Sequence, residues 1–306
     1  MTAPAYIGRF APSPTGPLHF GSLVCALASF LDARHYHGQW LVRIEDIDPP
    51  REIPGATATI LHQLEAHGLL WDGELLYQSQ RMDAYAAALE QLQSTGLLFN
   101  CDCNRQRIAE LGGIYDGHCR QRVASGESAL RLRVPYSDDG DYPLSSRFND
   151  LIMGCYQQNL RTDVGDFVVR RRDGLISYQL AVTVDDQFQG ITHIVRGADL
   201  LDSTPRQIYL QHCLGYRDNH RPALHYAHLP LATNDEGQKL SKQNHAAALL
   251  QGNEADNLWL ALDWLQQKPP AELRRESITE ILHWAIDNWT LAAIPGRMEI
   301  PAPRGF

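Results

Sequence analysis

No long apolar run occurs in this chain. The longest candidate, Leu23 to Leu31, is broken by Ser29 and is much shorter than the roughly 20 residues a bilayer-spanning helix needs. The N-terminus lacks a basic segment followed by an apolar stretch, so no secretory leader is read there and a cytoplasmic protein, without membrane partners, is expected. Proline and glycine never gather into a linker, and no stretch repeats another, which argues against independent modules strung in series. Net positive charge is missing too: 27 Lys and Arg face 36 Asp and Glu, a formal charge of -9. Polyanions are held largely by basic side chains that displace counterions, so an indiscriminate nucleic-acid binder is disfavoured and any RNA must meet a local basic face. With 306 residues, 44% hydrophobic and 21% charged, the chain is long enough to bury a core shared by two or three subdomains.

Two short motifs stand far apart, His19-Phe20-Gly21-Ser22 and Lys239-Leu240-Ser241-Lys242-Gln243. Around the first, Tyr6 to Phe10 reads as a strand, the Pro and Gly residues that follow forbid regular structure, and Leu23 to Phe30 reads as a helix. Gly21 and Ser22 then fall at a helix N-terminus, where unpaired N–H groups and the positive end of the macrodipole attract phosphate. Trp40 to Ile44 reads as a second strand, completing a unit of parallel sheet with Glu45, Asp46 and Asp48 at a strand's C-terminal end. Together with the lysine-bearing loop, this pattern asks for a nucleotide whose phosphates develop charge during a reaction.

The run Arg9-Phe10-Ala11-Pro12-Ser13-Pro14-Thr15-Gly16, the HFGS motif and Arg43-Ile44-Glu45-Asp46-Ile47-Asp48 resemble the catalytic core of the glutamyl-tRNA synthetases. The blocks around Asp166 to Arg171, Ile191 to Asp199 and Thr204 to Gln207, then KLSKQ, continue the resemblance in the same order. The resemblance implies an α/β protein: a class I synthetase Rossmann-type fold with an inserted zinc-containing subdomain and a C-terminal helical region. Its expected divisions are 1–95 and 166–244 for the two Rossmann halves, 96–165 for the insert and 245–306 for the helices, with no anticodon-binding domain. That brevity is similar to a truncated branch of the family that activates glutamate with ATP and esterifies it onto queuosine in the anticodon loop of tRNA(Asp). A monomer is expected. A compact synthetase charging the tRNA 3-prime end and a catalytically silent RNA-binding paralogue stay open as alternatives.

Carried onto this sequence, the resemblance makes His19 and Lys242 catalytic and gives ATP, with magnesium, to His19, Gly21, Ser22, Lys239 and Lys242. It gives L-glutamate to Arg9, Ala11, Ser13, Glu45, Tyr178 and Arg196. Two arginines suit a carboxylate because their forks make directional, charge-assisted bonds and stay charged at any working pH. The competing reading pairs Arg9 with Glu45 as a structural ion pair across neighbouring strands. Three departures stand out: Ser22 where a second His is usual, Gln243 for the final Ser, and Leu200 where the full-length family usually has a His. Ser22 can still donate one hydrogen bond, and Leu200 predicts one polar contact fewer to glutamate.

Of the six cysteines, Cys101, Cys103 and Cys119 crowd together, which in a cytosolic protein suggests a metal more than a disulfide. Three thiolates favour zinc by softness and leave one place to fill. The resembled branch fills it with a tyrosine, and Tyr115 stands at the matching spacing; His118 is the alternative. A site closed by four protein ligands would be a structural clip for one zinc. The local basic face for tRNA is sought at Arg161, Arg170, Arg171 and Arg172, and at Arg120 and Arg122, against the plainer reading of surface ion pairs. In the tail, Leu258, Leu262 and Leu265 mark one helical face and Ile278, Leu282 and Trp289 another; Trp259, Trp264, Trp284 and Trp289 read as packing anchors more than nucleotide platforms.

Overall fold

The computed structural model describes residues 6–137, 142–216, 223–234, 236–240 and 248–304. Strand β1 (Ile7–Phe10) leads into α1 (Phe20–His35), and β2 (Gln39–Ile44) returns parallel to β1, with Arg9 opposite Leu41. Helix α2 (Ala56–Ala66) crosses to the short β3 (Leu76–Tyr77), parallel to β2, and α3 (Met82–Ser94) follows. The chain then builds β4 (Leu98–Cys101), α4 (Arg105–Glu110), β5 (Ala129–Leu132), the hairpin β6 (Ser145–Asp150) and β7 (Gly154–Asn159), and β8 (Phe167–Arg170). It continues through α5 (Tyr178–Phe188), β9 (His193–Gly197), α6 (Thr204–Cys213), β10 (His225–Leu229) and β11 (Leu231–Thr233). Helices α7 (Glu254–Trp264) and α8 (Ile278–Asn288) and the closing β12 (Glu299–Pro301) complete it.

Two sheets meet edge to edge. One runs β1-β2-β3 and the other β7-β6-β10-β9; Thr192 N–H donates to Ile7 O at 2.9 Å, and Ile7 N–H to Thr192 Oγ1 at 2.9 Å, stitching β1 to the start of β9. The strand order therefore reverses between β1 and β9, the switch point at which open α/β sheets bind ligands beyond their carboxyl ends. A separate antiparallel sheet, β4-β5-β8, stands apart. The hairpin of β6 and β7, which the sequence places inside the inserted segment, does not join that small sheet. It extends the parallel one, with β6 pairing β10 at Asp150 and Tyr226.

The tail helices belong to the main core. Leu258, Leu262 and Leu265 are each fully buried, and Trp264 meets Phe20 edge-on at 5.9 Å. Trp264 and Trp289 are buried, and Trp259 and Trp284 pack partly buried against the same cluster, so the tryptophans serve as anchors. Gly68, at φ +70°, is the seat for α8: a Cβ there would come within 2.9 Å of Ile278 Cγ2 and Leu282 Cδ1. Deeper in, the Trp289 indole N–H donates to Asp32 Oδ1 at 2.9 Å, and Tyr6 Oη donates to the other carboxyl oxygen. Burial raises the Asp32 pKa against these two donors. No helix among the described residues is long and apolar enough to cross a membrane.

Trp289→Phe keeps most of the ring packing and removes one donor from a buried carboxyl group. The variant should lose about 1–3 kcal/mol of unfolding free energy, read from denaturant titration; an unchanged midpoint would show that α8 is held by packing alone.

Candidate active site

The carboxyl ends of β1, β2 and β9 open onto one cavity of about 520 Å³. Arg9, Ala11 and Ser13 line it from β1 and its loop, Glu45 from the end of β2, Tyr178 from the start of α5 and Arg196 from β9. His19, Gly21, Ser22 and Lys239 line the same space. The structure thus brings together every residue that the sequence assigns to glutamate and all but one of those it assigns to ATP. Lys242 lies outside the described residues, as do Ser241 and Gln243. The described flanks of that loop are fixed: Leu240 N–H donates to Ala232 O at 2.7 Å, and Leu249 N–H to Leu18 O at 3.1 Å.

His19 is the N-cap of α1, and its Nδ1 accepts from Ser22 N–H at 3.4 Å. Ser22 Oγ accepts from His19 N–H at 2.8 Å and donates to His19 O at 2.8 Å. The Ser22 hydroxyl is therefore spent on the helix cap, and the hydrogen bond expected from it toward a ligand is already used. Gly21 faces the cavity, where a Cβ would sit 3.2 Å from His19 Cε1 and 3.4 Å from its Nδ1; glycine leaves room for a ligand to reach the helix end. Across the space, Lys239 Nζ is paired with Asp199.

Arg9 does not pair with Glu45. Its Nε donates to Asp186 Oδ1 at 3.3 Å, and the same oxygen takes Arg43 Nη1 at 2.8 Å. Arg43 also donates to Gln189 Oε1 at 2.8 Å and reaches Glu45 Oε1 at 3.5 Å. Burial works against the Asp186 charge, but Arg43 and Arg9 outweigh it and hold this carboxyl below the usual range. Glu45 lacks that support: burial pushes its pKa up to about 7, against the pull of Arg43 and Arg9. One carboxyl is thus fixed as a scaffold while the other, facing the cavity, is poised near neutrality. Arg43 and Asp186 were not singled out as site residues from the sequence. The available signals were an arginine inside an apolar strand and the Asp185-Asp186 pair directly after the mostly apolar run Leu180 to Val184. Asp185 carries a second buried set, accepting from Gln78 Nε2 at 2.9 Å, Tyr85 Oη at 2.6 Å and Arg81 Nε at 3.1 Å.

Arg196 is 5% exposed. Its Nη1 donates to Tyr178 Oη at 3.3 Å, its Nη2 to Thr204 Oγ1 at 2.7 Å and to Leu200 O at 3.4 Å, and its Nε to His228 Nε2 at 3.0 Å. Leu200 therefore serves the site through its carbonyl, whatever its side chain.

A second centre lies on the small sheet. The sulfurs of Cys101, Cys103 and Cys119 all lie within 4.8 Å of one another, with Cys103 and Cys119 at 3.5 Å. Two thiolates sharing a tetrahedral metal at about 2.3 Å stand about 3.8 Å apart, so the spacing suits an ion. This cluster can hold a metal. Tyr115 is buried beside it, with Oη 3.9 Å from Cys103 Sγ and accepting the Cys119 N–H at 2.7 Å. His118 is exposed and turns its ring to Arg122. The expected basic face is smaller than the sequence suggested: Arg120 is bound to Asp166 and donates to Val134 O at 2.8 Å, so it is structural. Arg171 pairs with Asp48 at 3.3 Å and Asp173 at 2.6 Å, yet it joins Arg105 and Arg172 around an open cavity of about 700 Å³ next to Cys101 and Cys103. Arg161 donates to Tyr136 O at 3.1 Å, and Arg170 is half-buried in β8.

The family described as tRNA synthetases class I (E and Q), catalytic domain, matches residues 7–262. A glutamyl-Q tRNA(Asp) synthetase of Pseudomonas fluorescens is 50% identical over 98% of this chain and 97% of its own length. The chain belongs to the glutamyl-Q tRNA(Asp) synthetase family. Its Escherichia coli relative of that name is 51% identical over 96% of this chain and 92% of the relative. Among solved structures, glutamate-tRNA synthetase from Elizabethkingia anophelis superposes with a TM-score of 0.78 at 25% identity, covering 98% of this chain and 68% of that one. The class I fold and the parallel sheet expected from the motifs are therefore present.

The Glu45 carboxyl gives a pH test. A folded-state pKa raised from 4.5 to about 7 means the folded protein holds this proton more tightly than the unfolded chain. The resulting stability is fully present below about pH 4.5 and is lost as pH rises through 7, on the order of 3 kcal/mol in all. Glu45→Gln should abolish that loss: compared by denaturant unfolding at pH 5 and pH 8.5, the wild type should fall relative to the variant. Parallel curves would mean that Glu45 is ionised throughout.

Proposed function

We propose that this chain activates L-glutamate with ATP and transfers the glutamyl group to queuosine in the anticodon loop of tRNA(Asp). The observation that carries the reading is the single cavity in which Arg9, Arg196 and Glu45 converge and into which the capped start of α1 opens. Two arginines with one acidic group match an amino acid that has a second carboxylate, and a helix start with a glycine matches a phosphate chain. For the acceptor, support comes from the name borne by the Pseudomonas fluorescens and Escherichia coli relatives.

In this reading the α-carboxylate of glutamate attacks the α-phosphorus of ATP, the bond to the bridging oxygen breaks, and pyrophosphate leaves with the electron pair. Such a transfer needs positioning and charge stabilisation more than covalent help from the protein. His19 and the N–H groups behind Gly21 meet the developing phosphate charge, and Lys239 and Lys242 serve the pyrophosphate side together with magnesium. The side-chain carboxylate of glutamate is given to Arg9 and Arg196, with Tyr178 beside them and Ala11 and Ser13 supplying space and backbone contact. Glu45, once ionised, takes the substrate ammonium. A queuosine hydroxyl then attacks the glutamyl carbonyl and AMP leaves. Arg105, Arg171 and Arg172 supply the positive face that RNA requires of a chain with a net charge of -9.

The test of the acceptor is mass spectrometry of nucleosides from tRNA(Asp) incubated with the protein, ATP and glutamate. Glutamyl-queuosine is expected. Glutamate found only at the 3-prime terminus would assign ordinary aminoacylation instead, and no glutamate-dependent pyrophosphate exchange at all would leave a binding protein.

Cys101, Cys103, Cys119 and Tyr115 would hold one zinc as a clip on the β4 and β5 region, closed to substrate and serving shape alone. One zinc per chain is expected by elemental analysis. Cys119→Ser should lower both the zinc content and the melting temperature, whereas His118→Ala should change neither; loss of zinc in the His118 variant would move the fourth ligand there.

A further inference from the structure

Two groups that hold Arg196 have no part in the reading above. His228 lies on β10 directly opposite Arg196 in the parallel register and is fully buried. Its Nε2 accepts from Arg196 Nε at 3.0 Å, and its Nδ1 stands 2.6 Å from Asp150 Oδ2. Asp150, 2% exposed, ends β6. Its other oxygen, Oδ1, accepts three backbone N–H groups: Ile152 at 3.0 Å, Met153 at 2.8 Å and His228 at 3.1 Å.

These partners leave one consistent arrangement of protons. Backbone donors and an imidazole N–H suit an ionised Asp150: burial works against its charge, and the His228 contact does most to pull its pKa down all the same. An ionised carboxylate has no proton to give, so the proton between Asp150 and His228 sits on Nδ1. Burial, aided by the Arg196 charge and opposed by Asp150, keeps the ring below its ordinary pKa. A neutral ring protonated at Nδ1 presents a bare Nε2, and the Arg196 Nε–H points at it. Thr204 Oγ1, 3.2 Å from that Nε2 and 2.7 Å from Arg196 Nη2, closes the same corner.

We propose that Asp150 and His228 are positioning residues for substrate recognition: by fixing the imidazole tautomer they lock the Arg196 guanidinium in the orientation that faces the cavity. The inference rests on the assignment of Arg196 to glutamate. Arginine on a flexible stem has many rotamers, and a hydrogen bond at Nε, on the stem side, sets the plane of the fork. The hairpin that carries Asp150 thereby acts on the amino-acid pocket without touching the amino acid.

Asp150→Asn separates this from plain packing. The three backbone donors keep the amide oxygen where Oδ1 was, so the amide NH₂ turns toward Nδ1. The ring must then accept at Nδ1 and carry its proton at Nε2, donor against donor with Arg196. Exchange of a carboxylate for an amide behind a functional histidine is damaging for this reason. In glutamate-dependent ATP–pyrophosphate exchange, the KM for glutamate should rise on the order of 10- to 100-fold, with the KM for ATP unchanged. A second pair of variants stands free of Asp150: His228→Gln retains an acceptor near the Nε2 position, and His228→Met has similar length with none. Gln should preserve the glutamate KM better than Met, whereas a site that only needs filling with apolar volume would favour Met. Arg196→Ala is measured alongside. If it leaves the glutamate KM unchanged, the assignment of Arg196 to glutamate fails. If it raises that KM while Asp150→Asn does not, or while Met serves as well as Gln, Arg196 keeps its role and the positioning inference is overturned.

Discussion

Asp186 is the constraint on which the site depends. It is buried, and it takes Arg9 and Arg43 on one oxygen at 3.3 and 2.8 Å. Removing water from three charged groups is costly unless each is met by hydrogen bonds, and removing one partner leaves the others uncompensated. The arrangement therefore ties three separated pieces of chain into a single geometry: β1 through Arg9, β2 through Arg43, and α5 through Asp186. Beside this meeting lies the switch point of the sheet, where residues from β1 and β9 line one space. Glu45 is the residue left over. Arg43 and Arg9 favour its charge, yet burial outweighs them and holds this carboxyl near neutrality.

Much of this was legible from residues alone. The strand, loop and helix around His19 followed from apolar spacing and from the Pro and Gly residues between Ala11 and Pro17, and the helix starts at Phe20 with His19 as its cap. The tail was readable because Leu258, Leu262 and Leu265 repeat at helical spacing and are buried in the event. The cysteine cluster followed from crowding, and the choice between Tyr115 and His118 was a question of facing that only geometry could address. Long-range polar contacts were not legible. Asp150 and His228 are 78 positions apart, and nothing in the local pattern of either announces the other; parallel pairing of β6 with β10 makes them neighbours. Arg120 failed as a basic-face residue for the same reason, since Asp166 is distant in sequence and covers it.

The charged groups divide by depth, which reconciles an acidic protein with a polyanionic partner. Arg9 and Arg196 are buried in the lining of the larger site, with Arg43 buried on the same Asp186 oxygen as Arg9, while Arg105, Arg171 and Arg172 line the open cavity by the small sheet. Lysine is scarce, at positions 239, 242 and 268 alone, and two of the three fall in the KLSKQ motif. A compact cationic head on a flexible stem is thus nearly confined to that motif, and guanidinium forks carry most of the remaining positive charge.

The contact between Trp289 and Asp32 reaches further than the tail. Asp32 sits on α1, the helix whose first turn borders the cavity, and α7 meets Phe20 in that turn through Trp264. The C-terminal helices are consequently tied to the helix that borders the cavity, and calorimetry should register them in a single endotherm with no early shoulder from a detaching end.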